Sequence, residues 1–407
     1  MSDRTKRILQ IIIFVVIIVA MGFGIYLFFF KPLIAPPVAP PAAPPTAPPT
    51  AGLPPAAPAA PLVPVAPFPA APAPEISPTA TGGLTQISTL STSPTLAPFI
   101  SADGTAVQYY NRVDGKFYRV RPDGTLELLS DKVFFNVANV TWAPDSNQAI
   151  LEYPDGSNIM YNFATGRQVT LPRHWQSFDF SPRSDGIAFL SVGIDEDARW
   201  LAVAQPDGSG TKAIEPLGDN ASKVQVAWSP NDHIVAFSKT GSAQGFGNQE
   251  ILMVGQQGEN FRSLVVNGIG FQGEWSPDGT HILYSASSAD NDWIPELWVV
   301  EGTPDRIGVN KTRLELNTWV DKCTFASATA IYCAVPETLE RGIGLYPAAV
   351  GNTPDRLWRV DLASGNRDLI AIPPESHTID NIVVSQDEQY LYFSDKISGQ
   401  LYKINLR

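Results

Sequence analysis

A short phrase that recurs seven times between Phe99 and the C-terminus constrains this chain most strongly. In each copy an apolar or aromatic residue precedes a turn rich in Ser, Pro, Asp or Gly, and a pair of β-branched or aromatic residues follows it. The clearest copies are Trp142-Ala-Pro-Asp145, Phe180-Ser-Pro182, Trp228-Ser-Pro-Asn231 and Trp275-Ser-Pro-Asp-Gly279. Degenerate copies begin at Ile100, Thr324 and Val384.

Further stretches with alternating apolar positions follow each copy of the phrase. Third stretches include Lys116–Val120 and Leu401–Ile404, and fourth stretches include Thr125–Leu129 and Arg313–Leu316. Four short strands per unit, repeated about every 40 to 50 residues, are typical of β-propeller blades. The sequence therefore predicts an all-β fold, a seven-bladed propeller with four strands in each blade.

The polar residues of the phrase have a conformational role. Pro presets φ for the first turn position, and Asp bonds its own backbone and tolerates the left-handed region. Asp145, Asp278 and Asp387 are therefore interpreted as turn-forming residues rather than as site residues.

The phrase Trp-Ser-Pro-Asp-Gly followed by Ile-x-Tyr/Phe resembles the TolB-type, WD-like propeller repeat, over essentially all of residues 84–407. Such propellers occur in periplasmic scaffold proteins and as lids of prolyl-oligopeptidase-like enzymes, so the resemblance implies a fold and leaves function open. The chain departs from the peptidases in lacking a Gly-x-Ser-x-Gly motif. It departs from TolB in its predicted blade number, since TolB has six blades, and in its N-terminal region.

Closure of the ring is predicted to use a strand from before the first blade. The last unit supplies three strands before Arg407, and residues 84–88 read as an unassigned fourth strand. Pairing the two would leave no open sheet edge. The propeller is therefore assigned to residues 83–407.

The N-terminal region contains an apolar run at residues 8–30, long enough to cross a bilayer as a helix. Three basic residues lie in residues 1–7 and only Lys31 follows the run, which predicts a cytoplasmic N-terminus and an extracytoplasmic propeller, at the cell surface or in the periplasm. A cleaved signal peptide is the alternative. The length of the run favours an uncleaved signal-anchor.

A Pro/Ala-rich segment, residues 31–82, follows this run. Residues 32–78 contain 19 of the 37 prolines. Such a stretch cannot bury a core and is typical of an extended polyproline II spacer, whose 47 residues would span about 145 Å. It is interpreted as a disordered linker between membrane and propeller.

The charge balance excludes nucleic acid as an expected partner. The net charge is −12, and the first 98 residues carry four basic and two acidic side chains, which leaves −14 for the propeller. A surface this acidic repels phosphate backbones.

Cys323 and Cys333 flank one hairpin of the sixth unit when it is aligned with the others. A cross-strand disulfide suits an exported domain. Two packed thiols are the alternative.

Connections between the second and third strands lengthen in units three to six, at about 192–199, 239–249, 286–296 and 334–356. Long loops on a rigid scaffold commonly carry binding residues. Phe246, Trp293 and Tyr346 are the predicted aromatic anchors of this surface, among acidic neighbours. The alternative is that these side chains only hold the loops together.

A second candidate site is a polar collar at the mouth of the central channel, on the same face. Six members lie three residues before the first residue of a repeated phrase. Two further members lie two residues after such a position. They are Asn139, Ser177, Gln225, Gln272, Asp321 and Asn381, with Asp179 and Glu274. Solvation of a wet channel explains such a collar equally well.

No catalytic or cofactor motif stands out, since the four histidines form no His-x-x-x-His pattern and the two cysteines lack zinc spacing. The expectation is therefore a non-enzymatic, membrane-anchored propeller that binds a protein or a cell-envelope component. The alternatives are a glycan hydrolase or lyase that uses acidic residues at the channel mouth, and a sensor or assembly subunit.

Overall fold

The computed structural model describes residues 75–245 and 247–407, together with Phe14, Val19 and Met21. Within these residues no helix is long and apolar enough to cross a membrane. The predicted transmembrane segment 8–30, apart from those three positions, and residues 31–74 of the predicted linker lie outside the described residues, as does Phe246.

Seven antiparallel sheets form the blades of a propeller, and each sheet has the first strand of its repeat at one edge. That strand lies at the inner edge of the ring. In chain order from inner to outer edge, blade 1 has strands Thr95–Ile100, Val107–Asn111, Lys116–Val120 and Leu126–Leu128; blade 2 has Asn139–Trp142, Gln148–Glu152, Asn158–Asn162 and Gln168–Leu171; blade 3 has Trp175–Phe180, Ile187–Val192, Arg199–Ala204 and Lys212–Pro216; blade 4 has Val224–Val226, Ile234–Ser238, Asn248–Gly255 and Leu264–Asn267.

The remaining blades follow the same order, except that the outer strand of blade 7 precedes blade 1 in the chain. Blade 5 has Ile269–Trp275, His281–Ser287, Pro295–Glu301 and Thr312–Arg313; blade 6 has Cys323–Ser327, Ala330–Pro336, Asp355–Asp361 and Arg367–Ile372; blade 7 has Ile379–Val384, Tyr390–Asp395, Leu401–Asn405 and Ile87–Ser91. Short 3-10 helices lie at Glu196–Ala198, Gly218–Lys223, Ala289–Asn291, Val320–Lys322, Ile343–Leu345 and Pro347–Ala349.

The repeated phrase forms the hairpin between the first and second strands. In blade 5 the hydroxyl of Ser276 donates to Asp278 and accepts the backbone N–H of His281, and Asp278 accepts the N–H of Thr280. Gly279 adopts a φ of +67°, which costs glycine little. Because these hydrogen bonds hold the Asp carboxylate in the turn, its turn-forming role explains its recurrence.

The Trp of the phrase joins neighbouring blades. The indole of Trp275 donates to the carbonyl of Ala227 in blade 4 and stacks on Phe237 at 5.2 Å. The indole of Trp142 makes the same kind of bond to Ala97 in blade 1. Both tryptophans are buried, and burial of so large a side chain between two sheets is a major part of the packing energy.

A strand from before blade 1 completes blade 7. Ile87–Ser91 pairs antiparallel with Leu401–Asn405, with Ile87 opposite Ile404. The strand predicted at residues 84–88 therefore lies three residues further along the chain. The reason is that Gly83–Leu84 pairs in parallel with the outer strand of blade 6, Arg367–Ile372, as a fifth strand.

Residues 75–82 belong to the propeller rather than to the predicted linker. The backbone N–H of Ala80 donates to Asn405 of blade 7, and that of Gly82 donates to Ile370 of blade 6. The segment is held at the outer edges of two blades because these backbone groups bond there.

Blade 6 contains a disulfide between Cys323 and Cys333, which face each other on its first and second strands. The predicted disulfide is confirmed. The outer strand of blade 5 is Thr312–Arg313, which is shorter than the predicted Arg313–Leu316. Glu315 adopts a φ of +52°, and on either side of it Leu314 and Leu316 still bond to the backbone of Leu297.

Candidate functional site

The connections between second and third strands define one face of the ring, which we call the long-loop face. In blades 3 to 6 they span residues 193–198, 239–247, 288–294 and 337–354, whereas in blades 1, 2 and 7 they span only 112–115, 153–157 and 396–400. Because blades are related by rotation, these loops share one end of the propeller. The long loops are contiguous around the ring.

The loops of blades 5 and 6 are joined by their backbones. The N–H of Gly342 donates to the carbonyl of Asp292, and that of Gly344 donates to Trp293, both at 2.8 Å. Arg341 also pairs with Asp292. Trp293, one of the predicted anchors, thus helps to join two loops through its backbone, and its side chain is half-buried.

Gly344 allows the blade 6 loop to pack closely on blade 5. A Cβ at this position would lie 2.0 Å from the hydroxyl oxygen of Ser287 and 2.6 Å from the carbonyl oxygen of Trp293. Contacts this short exclude any larger residue without displacement of the loop. Two residues further on, Tyr346 has 71% of its surface exposed.

A cavity of about 510 Å³ lies under this loop, among blades 4 to 7. Its apolar wall includes Ile269, Phe271, Leu345, Val350 and Ile379. The charged side chains that line it are Lys239, Asp321, Lys322, Asp380 and Lys396.

Lys322 forms a buried ion pair beside the cavity. Its ammonium lies 2.7 Å from the carboxylate of Asp355, which also accepts the N–H of Ile379. Burial raises the pKa of Asp355, and the charge of Lys322 opposes that shift. Asp355, at the start of the third strand of blade 6, therefore joins the 3-10 helix Val320–Lys322 to the first strand of blade 7.

Glu274 and Asp321 both have a raised pKa. Burial, reinforced by the charge of Asp321, raises the pKa of Glu274 to about 8. Burial likewise raises the pKa of Asp321, with Asp380 adding to the shift and Lys322 and Lys396 opposing it. Glu274 is therefore largely protonated at neutral pH.

Asp179 lies on the first strand of blade 3 and has a raised pKa of its own. Burial raises its pKa to about 6, although its carboxylate accepts the N–H groups of Trp228 and Phe180. Neither Asp179 nor Glu274 contributes to the pKa shift of the other. Asp179 and Glu274 therefore do not act on each other as an acid pair.

Most members of the predicted polar collar bond to other blades or to their own. Gln225 exchanges two hydrogen bonds with the backbone of Gly273 in blade 5. Asn139 donates to Glu152, whose other oxygen accepts the N–H of Ser177. Asn381 donates to Asp380 and Ser394. Only Gln272 and Asp321 of the collar line the cavity.

Sequence reasoning overlooked most of the polar residues of the cavity, among them Lys239, Ser285 and Lys322. Lys239 begins a predicted long loop, in which the predicted anchor is the aromatic residue Phe246. Ser285 and Lys322 lie inside strand-like and turn-like stretches with no distinguishing pattern. No signal in the sequence brings these three positions together.

No metal centre is found within the described part of the chain, where no group of three or more His, Cys, Asp or Glu side chains is placed to hold an ion. The charged residues of the cavity instead combine three lysines with two aspartates.

The chain resembles several solved propeller structures at low identity. An oligogalacturonate lyase in complex with manganese has 13% identity over 81% of this chain and 95% of that chain, with a TM-score of 0.58. The oligogalacturonate lyase from Vibrio parahaemolyticus has 10% identity over 81% and 96%, with the same TM-score. The tricorn protease has 10% identity over 79% of this chain and 34% of that chain, with a TM-score of 0.51.

This likeness concerns the fold. No protein-family model and no curated protein sequence matches the chain. Membership of the TolB-type family therefore stays a prediction from the repeated phrase, whereas the seven-bladed propeller is common to the structure and its neighbours.

Proposed function

We propose that this chain is a binding module whose propeller holds a protein or cell-envelope ligand on its long-loop face. The cavity among blades 4 to 7 carries the proposal. Its volume of about 510 Å³ falls within the range of ligand pockets, roughly 300–1,000 Å³. It combines an apolar wall with a few charged groups, which is the usual composition of such pockets.

The surroundings of the cavity support docking of a larger partner. Tyr346 is exposed beside the cavity, on a loop held in place by the close packing of Gly344. An aromatic side chain on a fixed loop is a favourable anchor, because little conformational entropy is lost when it binds.

We further propose that residues 8–30 anchor the protein in a membrane, with the N-terminus in the cytoplasm and the propeller outside the cell or in the periplasm. The basic residues before this segment support that orientation. The disulfide of blade 6 supports an oxidising compartment. The Pro-rich segment would then carry the binding face away from the bilayer.

Site-specific photocrosslinking in native membranes tests the docking proposal. A photoreactive residue in place of Tyr346 is expected to capture a discrete partner. Phe135 is the matched control, because it is also an exposed aromatic residue, 69% accessible, but lies between blades 1 and 2. Capture at both positions alike, or at neither, would contradict docking beside the cavity.

A glycan-acting enzyme is the second candidate. Two observations favour it: the neighbours include oligogalacturonate lyases, and Glu274 has a pKa of about 8, suited to a general acid or base. Incubation with oligogalacturonate, followed by detection of unsaturated products, tests this function. We expect no turnover; turnover that Glu274→Gln abolishes would replace binding with catalysis.

A further inference from the structure

Lys239 is a cavity residue whose charge no carboxylate balances. It begins the long loop of blade 4, lines the cavity and is half-buried. Burial alone lowers its pKa; no charged neighbour among the described residues opposes the shift. A partly desolvated ammonium without a counter-ion is costly, and an anionic ligand group would remove that cost.

Two further donors lie on blade 5 in the same cavity. Gln272 and Ser285 face each other on the first and second strands, so their side chains are neighbours on one side of the sheet. Ser285 has 1% of its surface exposed, and its hydroxyl has no hydrogen-bond partner among the described residues. An ammonium, a hydroxyl and an amide are suitable donors for a carboxylate.

The other two lysines of the cavity already have anionic neighbours. Lys322 is paired with Asp355, and Lys396 acts on the pKa of both Asp321 and Asp355. An added carboxylate is therefore favoured at Lys239 and disfavoured near Asp321 and Asp380.

The rest of the cavity suits an aliphatic chain better than a sugar ring. Ile269, Leu345 and Val350 line it, and the first two are partly exposed. The aromatic residues of the wall, Phe271 and Trp319, are 0% and 9% exposed and so offer no free ring face on which a sugar could stack. Backbone and aliphatic surfaces are the complement of a peptide end.

We infer that this cavity captures the C-terminal end of a peptide, with the terminal carboxylate at Lys239, Ser285 and Gln272 and aliphatic side chains against Ile269, Leu345 and Val350. The inference deepens the proposed binding function and rests on it. It identifies the ligand as a polypeptide terminus rather than an internal segment or a glycan.

The test uses the full-length protein, purified in detergent and immobilised. Two pools of N-acetylated tetrapeptides ending in Ala, Val, Leu or Ile are applied, one with free C-terminal carboxylates and one with C-terminal amides. Mass spectrometry of the retained peptides is expected to show about 10-fold or greater preference for the free acids, as expected for a hydrogen bond to a charged group.

Single variants test which side chains produce the preference for free acids. Lys239→Gln is expected to abolish the preference, and Ser285→Ala to weaken it. Lys223→Gln is the matched control. Lys223 is exposed and its carbonyl accepts the N–H of Lys239, but its side chain does not line the cavity. This variant should keep the preference for free acids.

Three results would overturn the inference: no retention by the wild type, equal retention of acids and amides, or an unchanged preference in Lys239→Gln. Retention of a uronic-acid tetrasaccharide in place of peptides would assign the cavity to a glycan. The two experiments distinguish failure of this inference from failure of the proposed function. A free-acid preference without a crosslink at Tyr346 would contradict docking of a partner beside the cavity and support the peptide site. A crosslink at Tyr346 without the free-acid preference would support docking and contradict the peptide site.

Discussion

At the scale of single residues, polar side chains near the channel divide into those that join blades and those that face the cavity. Gln225 and Asp179 both bond to the backbone of a neighbouring blade. Because buried polar groups are costly unless hydrogen-bonded, such links hold neighbouring blades in register. The side chains of Gln272 and Ser285 make no such link between blades among the described residues, and they are available to a ligand.

The pair Lys322 and Asp355 gives a stability prediction. Lys322→Met leaves the buried carboxylate of Asp355 without its counter-ion, and the free energy of unfolding is expected to fall by about 3–5 kcal/mol in urea titrations. The double variant Lys322→Met with Asp355→Leu removes both charges and should recover most of that loss. A single variant as stable as the wild type would contradict the role of the pair.

Glu274 gives a pH prediction. Its pKa is about 8 in the folded protein against an ordinary value of 4.5, so the folded state binds more protons than the unfolded state between these values. The contribution of Glu274 to the free energy of unfolding is therefore fully present below about pH 4.5 and is lost as the pH rises towards 8. Urea titrations at pH 5, 6.5 and 8 should show that the free energy of unfolding declines less with pH in Glu274→Gln than in the wild type. Parallel declines in the two proteins would exclude titration of Glu274 as the cause.

At the scale of elements, the blade 6 loop is fixed by its contact with blade 5. Gly344 makes the close approach, and the two backbone bonds to Asp292 and Trp293 extend it. Trp293 therefore helps to fix the loop pair through its backbone carbonyl, whereas Tyr346 keeps an exposed ring.

A substitution in this loop tests its rigidity. Gly344→Ala is expected to displace residues 337–354 and to speed their amide hydrogen exchange, because the added Cβ collides with Ser287. Gly351→Ala is the control in the same loop, since its Cβ would meet open space. Equal exchange in the two variants would argue against a fixed cavity wall.

At the scale of the whole molecule, the ring depends on a strand from outside the blade series. Ile87–Ser91 supplies the outer strand of blade 7, and residues 75–84 continue along blades 6 and 7. Without them the third strand of blade 7 becomes an exposed edge.

Truncation tests this closure. A chain that starts at residue 75 keeps these contacts and should match the thermal midpoint of the full-length protein. A chain that starts at residue 92 loses the closing strand, and we expect a lower midpoint and aggregation through the open edge. Equal midpoints would mean that closure contributes nothing to stability.

The repeated phrase was sufficient to predict the seven blades, because the turn of Ser276, Asp278 and Gly279 is local chemistry. The pairing of Cys323 with Cys333 was predictable for the same reason, since they lie on one hairpin. The cavity was not predictable. Lys239, Ser285 and Lys322 are scattered over three repeats, and only tertiary packing brings them to one wall.

The central claim is that ligands bind on the long-loop face at blades 5 to 7. Hydrogen exchange of the full-length protein, with and without the partner crosslinked at Tyr346 in membranes, measures this most directly. The account predicts slower exchange in residues 288–294 and 337–354 and no change in residues 112–115 and 153–157. Protection confined to the short loops of blades 1 and 2, or to the hairpins on the opposite face, would contradict it.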